Sequence, residues 1–180
     1  VGGDTIEGEH VELETTKVDG VRIRRLHTPV GTIQEVQQYS PESFSWGYTE
    51  HAIKSVDDLR VLRYIFANRR FVPDPERFTA EDREYAAFGM GPRHVGGPPT
   101  PLSELNKHWI GVMDLTYMIV DEPEEMQLTL DVIGAFYDEV YRHLAAAPPS
   151  VVMINENLTA TTMASYFDEY IAPYVRRWTT

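Results

Sequence analysis

The stretch Val151-Val152-Met153-Ile154-Asn155-Glu156-Asn157 decides the fold. Four consecutive apolar residues have the pattern of a strand buried on both faces in a parallel sheet. The polar triplet that follows caps its carboxyl end. In α/β proteins the carboxyl ends of parallel strands are where the chemistry collects. Glu156 is therefore a candidate catalytic residue and Asn157 a candidate substrate- or cofactor-binding residue, since a carboxylate accepts hydrogen bonds while an amide both donates and accepts. The same two residues would also serve as a helix cap and loop anchors, and the residue types leave both roles open. Alternation turns Asn155 away from its neighbour.

Working back from this strand, Pro123 with Glu124 and Glu125 marks a helix start, because a proline fits the first turn and the acids complement the positive end of the helix dipole. Ile133, Phe136, Tyr137, Val140, Tyr141 and Leu144 then form an apolar stripe that ends before Ala147-Pro148-Pro149. Leu102 to Val112 and Met113 to Val120 read as helices. Before them, Tyr85 to Met90 reads as a short buried strand entering a loop rich in glycine and proline from Gly91 to Pro99. That loop carries Arg93, a candidate binding residue, and His94, which near neutral pH serves as acid, base or ligand; a solvated loop is the alternative for both. Downstream, an amphipathic helix is expected from about Met163 to Trp178, kinked near Pro173. Strand, helix, strand, helix is the grammar of a parallel α/β protein.

The first forty residues read differently. Val11, Leu13 and Thr15 alternate with His10, Glu12 and Glu14, Asp19-Gly20 supplies a turn, and Val21 and Ile23 alternate with Arg22 and Arg24. This predicts a hairpin with a charged outer face, followed by a short extended run from Thr28-Pro29-Val30-Gly31-Thr32 through Val36. Residues 1–40 are expected as an excursion from a domain spanning 41–180. Ser55, three residues before Asp58, opens a helix from about Val56 to Asn68 with Leu59, Leu62, Tyr64, Ile65 and Phe66 largely on one face. Pro73 and Pro75 close that segment, and Thr79 to Tyr85 reads as a short helix. Trp46 and Tyr48 flank Gly47 and are candidates to line a cofactor pocket, or else to cover a core edge. His51 and His108 lack a second ligand at helical spacing, so no metal-ligand set emerges.

The composition bounds the function. With 180 residues and 42% hydrophobic, the chain has enough apolar material for one domain's core. Its net charge of −12 repels phosphate backbones, so nucleic acid is a poor partner. No apolar run reaches the roughly 20 residues of a membrane span. The absence of cysteine removes disulfides, thiolate metal sites and cysteine nucleophiles, and fits the cytoplasm. Val1-Gly2-Gly3 has neither an initiating methionine nor a signal-peptide pattern, which suggests a processed start. No dinucleotide or phosphate-loop fingerprint and no Gly-x-Ser-x-Gly elbow is present.

The run Asp121-Glu122-Pro123-Glu124, the long helix, the strand ending in Asn155-Glu156-Asn157 and Tyr166-Phe167-Asp168-Glu169-Tyr170-Ile171-Ala172-Pro173-Tyr174 together resemble the uroporphyrinogen decarboxylase superfamily. Thr28-Pro29-Val30-Gly31-Thr32 and Glu50-His51-Ala52-Ile53-Lys54-Ser55 resemble its corrinoid-linked, methyltransferase-like branch. The resemblance implies a partial (β/α)8 TIM barrel, because the full architecture takes about 250 residues, with a β-hairpin excursion at its start. It also implies a small-molecule substrate, a corrinoid protein as partner, and self-association through uncovered strand edges. Zinc and a corrinoid belong to the intact parent, with no cofactor held by this chain, since the branch's His-x-Cys and later Cys ligands fall past Thr180. The expected activity of the parent is corrinoid-dependent methyl transfer. The alternatives are decarboxylation of a tetrapyrrole or other carboxylate, and a non-catalytic part-barrel that binds a ligand or partner.

Overall fold

The computed structural model describes residues 2–6, 8, 10–89, 94–146, 151–156 and 164–180. The chain is a mixed α/β protein: β1 (Gly2–Ile6), a sheet of β2 (Glu12–Val18), β3 (Val21–Thr28), β4 (Gly31–Ser40) and β5 (Ser45–Glu50), then α1 (Val56–Asn68), β6 (Arg70–Asp74), α2 (Pro75–Ala87) and β7 (His94–Gly97). There follow α3 (Pro101–Glu104), a π-helical turn (Leu105–Trp109), α4 (Val112–Asp121), α5 (Pro123–Ala146), β8 (Val151–Ile154), a 3-10 turn (Ala164–Tyr166), a second π-helical turn (Phe167–Ile171) and α6 (Ala172–Thr179). Strands β2 to β5 pair antiparallel in chain order, β1 pairs antiparallel with β6, and β7 pairs parallel with β8. Among the described residues no barrel closes.

The expected hairpin is there but belongs to a wider sheet. Asp19 and Gly20 both take positive φ, 48° and 77°, which matches the twist of a two-residue turn between β2 and β3. The facing of β3 and β4 reverses the expectation from hydropathy. Arg22 pairs with Gln37, Arg24 with Glu35 and Leu26 with Ile33, and on β4 it is Ile33, Glu35 and Gln37 that are buried. Ile23 and Val36 lie only half-buried on the other face. Cross-strand pairing explains how charge is tolerated inside: Arg24 Nη1 donates to Glu35 Oε1 at 3.0 Å, and Gln37 Nε2 donates to the same oxygen at 3.1 Å.

Helix α1 starts and ends where the sequence predicts. The Ser55 hydroxyl accepts from the Asp58 N–H at 3.3 Å and donates to Asp58 Oδ2 at 2.9 Å, so the cap closes on itself. Leu59, Leu62, Ile65 and Phe66 are buried, and the Phe66 ring meets Trp109, Phe136 and Tyr137 edge-on at centroid distances of 6.0, 6.0 and 6.1 Å. Arg63 fastens α1 to α5 through Glu125 Oε2 at 2.6 Å and the Thr129 hydroxyl at 3.0 Å. Leu26 and Ile33 of the sheet join the same core.

Three local expectations change. Tyr85 to Ala87 continue α2 instead of forming a buried strand: Tyr85 is exposed, and the chain turns at Gly89 with φ of 68°. The helix expected through Val112 breaks at Ile110, which is extended, and Gly111; the Ile110 N–H bonds back to Leu105 O at 2.8 Å. Strand β8 is parallel as expected, but Met153 is 53% exposed, so it is not buried on both faces. No helix among the described residues is long and apolar enough to cross a membrane.

Candidate functional site

The parallel pair sets the geometry. His94 is in register with Val151 and Gly97 with Ile154, so both strands point their carboxyl ends toward the same side. Beyond those ends lie Pro98 to Thr100 on one strand and Asn155-Glu156 on the other. Glu156 is tied down by three donors: its Oε1 accepts from the Thr100 N–H at 2.5 Å, and its Oε2 accepts from the Thr100 hydroxyl at 2.9 Å and from the Ser103 hydroxyl. Thr100 is fully buried and Ser103 nearly so, and Thr100 does not cap α3 with its own side chain. Buried donors need partners, and Glu156 supplies them. Lys107 Nζ reaches the neighbouring Asn155 carbonyl at 3.0 Å.

Tyr141 of α5 completes this end. Its hydroxyl donates to Pro98 O at 2.6 Å, and its ring stacks on Trp178 with centroids 4.2 Å apart. Burial and then the Glu156 charge push the Tyr141 hydroxyl up, so it stays a proton donor across the ordinary pH range. Gly97 is required here by contact: a Cβ at this position would stand 2.5 Å from the Tyr141 hydroxyl. A carboxylate has about four acceptor positions, of which three are used. The arrangement fixes the Glu156 carboxyl group at the strand ends and joins β8 to the start of α3.

The other candidates lie elsewhere. His94 opens β7 and so sits at the amino ends of the pair, away from Glu156. Arg93 and Asn157 lie outside the described residues. Trp46 and Tyr48 share a face of β5; Arg22 lies over the Trp46 ring at 4.5 Å, and Tyr48 stacks on His51 at 4.6 Å. Burial, then the Glu35 charge, raises the Tyr48 pKa. Tyr48 also lines a cavity of about 210 Å³ between the sheet and the π-helical turn, together with Glu35 and Glu104. Sequence reading missed both acids, and missed Thr100, Ser103 and Tyr141. An acid four residues before a histidine, as in Glu104 and His108, was the one local signal available.

Neither protein-family models, nor curated proteins, nor solved structures give a match to this chain. The fold and site define a mixed α/β protein with a parallel strand pair and an acid-anchored helix at its carboxyl end.

Proposed function

We propose that this chain forms part of a (β/α)8 barrel of the uroporphyrinogen decarboxylase-like superfamily, in its corrinoid-linked methyltransferase branch, working in the cytoplasm. The observation that carries the reading is the parallel pairing of β7 with β8 across a helical crossover, with Glu156 beyond their carboxyl ends. That is the arrangement on which barrel enzymes build substrate sites, and a corrinoid would be met there as the partner's methyl donor without being a resident cofactor of this chain. The chain's own contribution is binding and positioning: Glu156 holds the Pro98 to Thr100 segment and α3 against β8, and Tyr141 holds Pro98 from the other side.

A zinc-activated thiol does not fit the residues present. The chain has no cysteine, and no group of three or more metal-binding side chains occurs among the described residues. The second reading, a part-barrel that binds without chemistry, is favoured by the commitment of Glu156 to three structural donors. Self-association follows from either reading, since β7 and β8 form a two-stranded sheet whose outer edges are unpaired among the described residues.

Equilibrium dialysis of the whole chain against methylcobalamin and, in parallel, against uroporphyrin tests the assignment. Saturable retention of the corrinoid with no retention of the porphyrin is expected. Preference for the porphyrin moves the assignment to a tetrapyrrole decarboxylase, and retention of neither overturns both.

A further inference from the structure

Helix α4 presents an apolar face on its outside as well as on its inside. Within Val112–Asp121 only Asp114, Thr116 and Asp121 interrupt a run of apolar side chains. Leu115 and Ile119 turn into the core, which places Met113, Tyr117 and Val120, spaced i, i+4 and i+7, on the opposite side. They are 63%, 59% and 69% exposed. Apolar residues scattered singly over a surface are ordinary, but a contiguous stripe along a helix marks a contact, and a helix apolar all round is normally buried. At 1.5 Å per residue α4 is about 15 Å long, room for about three turns of a second helix.

The charge beside this stripe says what covers it. Between His108 and Arg142 the chain has no basic side chain. Arg63 and Arg177 neutralise two acids of that span, Glu125 and Asp138, but among the described residues no salt bridge reaches Asp114, Asp121, Glu122 or Glu124. Asp114 and Asp121 lie three residues before and four after Tyr117, so they flank the stripe on its own helix. Asp121 and Glu122 also stand at the carboxyl end of α4, where the helix dipole favours cations, and its last turn supplies none. A second copy of the chain, or an anionic surface, would bring like charge against these acids. A cationic partner would neutralise them and complement the helix end.

From this juxtaposition we propose that the outer face of α4 docks an amphipathic helix of another protein, its apolar side laid on Met113, Tyr117 and Val120 and its lysines or arginines against Asp121 and Glu122. Helices bound in this way are held through anchors at i, i+3, i+4 and i+7. The probe is a fluorescein-labelled peptide of about four turns, with leucine at those positions and lysine elsewhere. A permuted peptide of the same composition without an apolar face, and one with glutamate for lysine, are the controls. In fluorescence anisotropy with the whole chain, the amphipathic lysine peptide is expected to bind about tenfold more tightly than either control. Tyr117→Ser should weaken that binding about tenfold. Asp121→Asn combined with Glu122→Gln should weaken it severalfold and flatten its dependence on salt. The melting temperature should hold in both variants, because these side chains are exposed. Equal binding of the permuted peptide, or an unchanged affinity in Tyr117→Ser, would overturn the proposal. So would a dimer of the chain in sedimentation that Tyr117→Ser dissolves, which would give the face to a second copy.

Discussion

Glu156 and Thr100, 56 residues apart in sequence, are joined twice: the carboxylate accepts both the backbone N–H of Thr100, at 2.5 Å, and its hydroxyl, at 2.9 Å. A residue at the end of one parallel strand thus fixes the helix that leaves its neighbour. The strand-end site exists because this pair of contacts does.

Glu156→Ala would strand the Thr100 N–H and two buried hydroxyls without partners. Each orphaned group costs about 1–3 kcal/mol, and some relaxation toward water is open at this half-buried position, so a total loss of about 2–4 kcal/mol is expected in urea unfolding. A loss below about 0.5 kcal/mol would show that the carboxylate is not what holds α3.

Gly97→Ala should force the Tyr141 ring off its place, since the new Cβ would sit 2.5 Å from the hydroxyl and 3.0 Å from Cζ. Overpacking of this kind costs about 1–3 kcal/mol. Tyr141→Phe removes the clashing oxygen at the cost of the Pro98 bond. The double variant should therefore be more stable than the sum of the two single losses implies, and strict additivity in a thermal double-mutant cycle would argue against the contact.

Phe66→Ala empties the point where α1, α5 and the π-helical turn meet. Three aromatic rings and the Arg69 guanidinium lose their common neighbour. A cost of about 3–5 kcal/mol follows, and Phe66→Leu, which keeps most of the buried apolar volume, should cost less than half as much. Equal losses in the two variants, measured by the denaturant midpoint, would locate the core elsewhere.

His51 gives stability a pH dependence. Burial lowers its pKa below the usual 6.5, against the opposing charges of Asp114 and Glu35, and among the described residues its buried Nδ1 has no partner. The folded state therefore prefers the neutral ring. The contribution is fully present above about pH 6.5 and is lost as pH falls through the lowered value, because the unfolded chain takes up the proton first. Between about pH 7.5 and about pH 5.5 the melting temperature should fall more in the native chain than in His51→Phe. Glu14 and Glu42, both lowered in pKa, act only at more acid values. Parallel curves for the two proteins across this window would exclude His51 as the source.

Local signals carried much of the fold. Ser55 and Asp58 set the start of α1, Pro123 that of α5, and Asp19-Gly20 the first turn, because each acts within a few residues of itself. The parallel character of Val151 to Ile154 was also legible from its apolar run. The inward face of β3 and β4 was not, since hydropathy alternation cannot register that Arg24 and Glu35 neutralise each other once opposite. Nor could it show that Met153 stays exposed on a two-stranded sheet. The candidate site was half visible: Glu156 stood out by its place after a strand, while Thr100, Ser103 and Tyr141 become its neighbours only through tertiary folding.

The placement of the proposed corrinoid site at the carboxyl ends of β7 and β8 is tested most directly by amide NMR with cob(II)alamin, whose unpaired electron broadens nearby signals. The amides of Gly97 and Glu156 should broaden saturably while those of His94 and Val151, at the amino ends of the same strands, stay sharp. Broadening at His94 and Val151 instead, or equal broadening throughout, would contradict it.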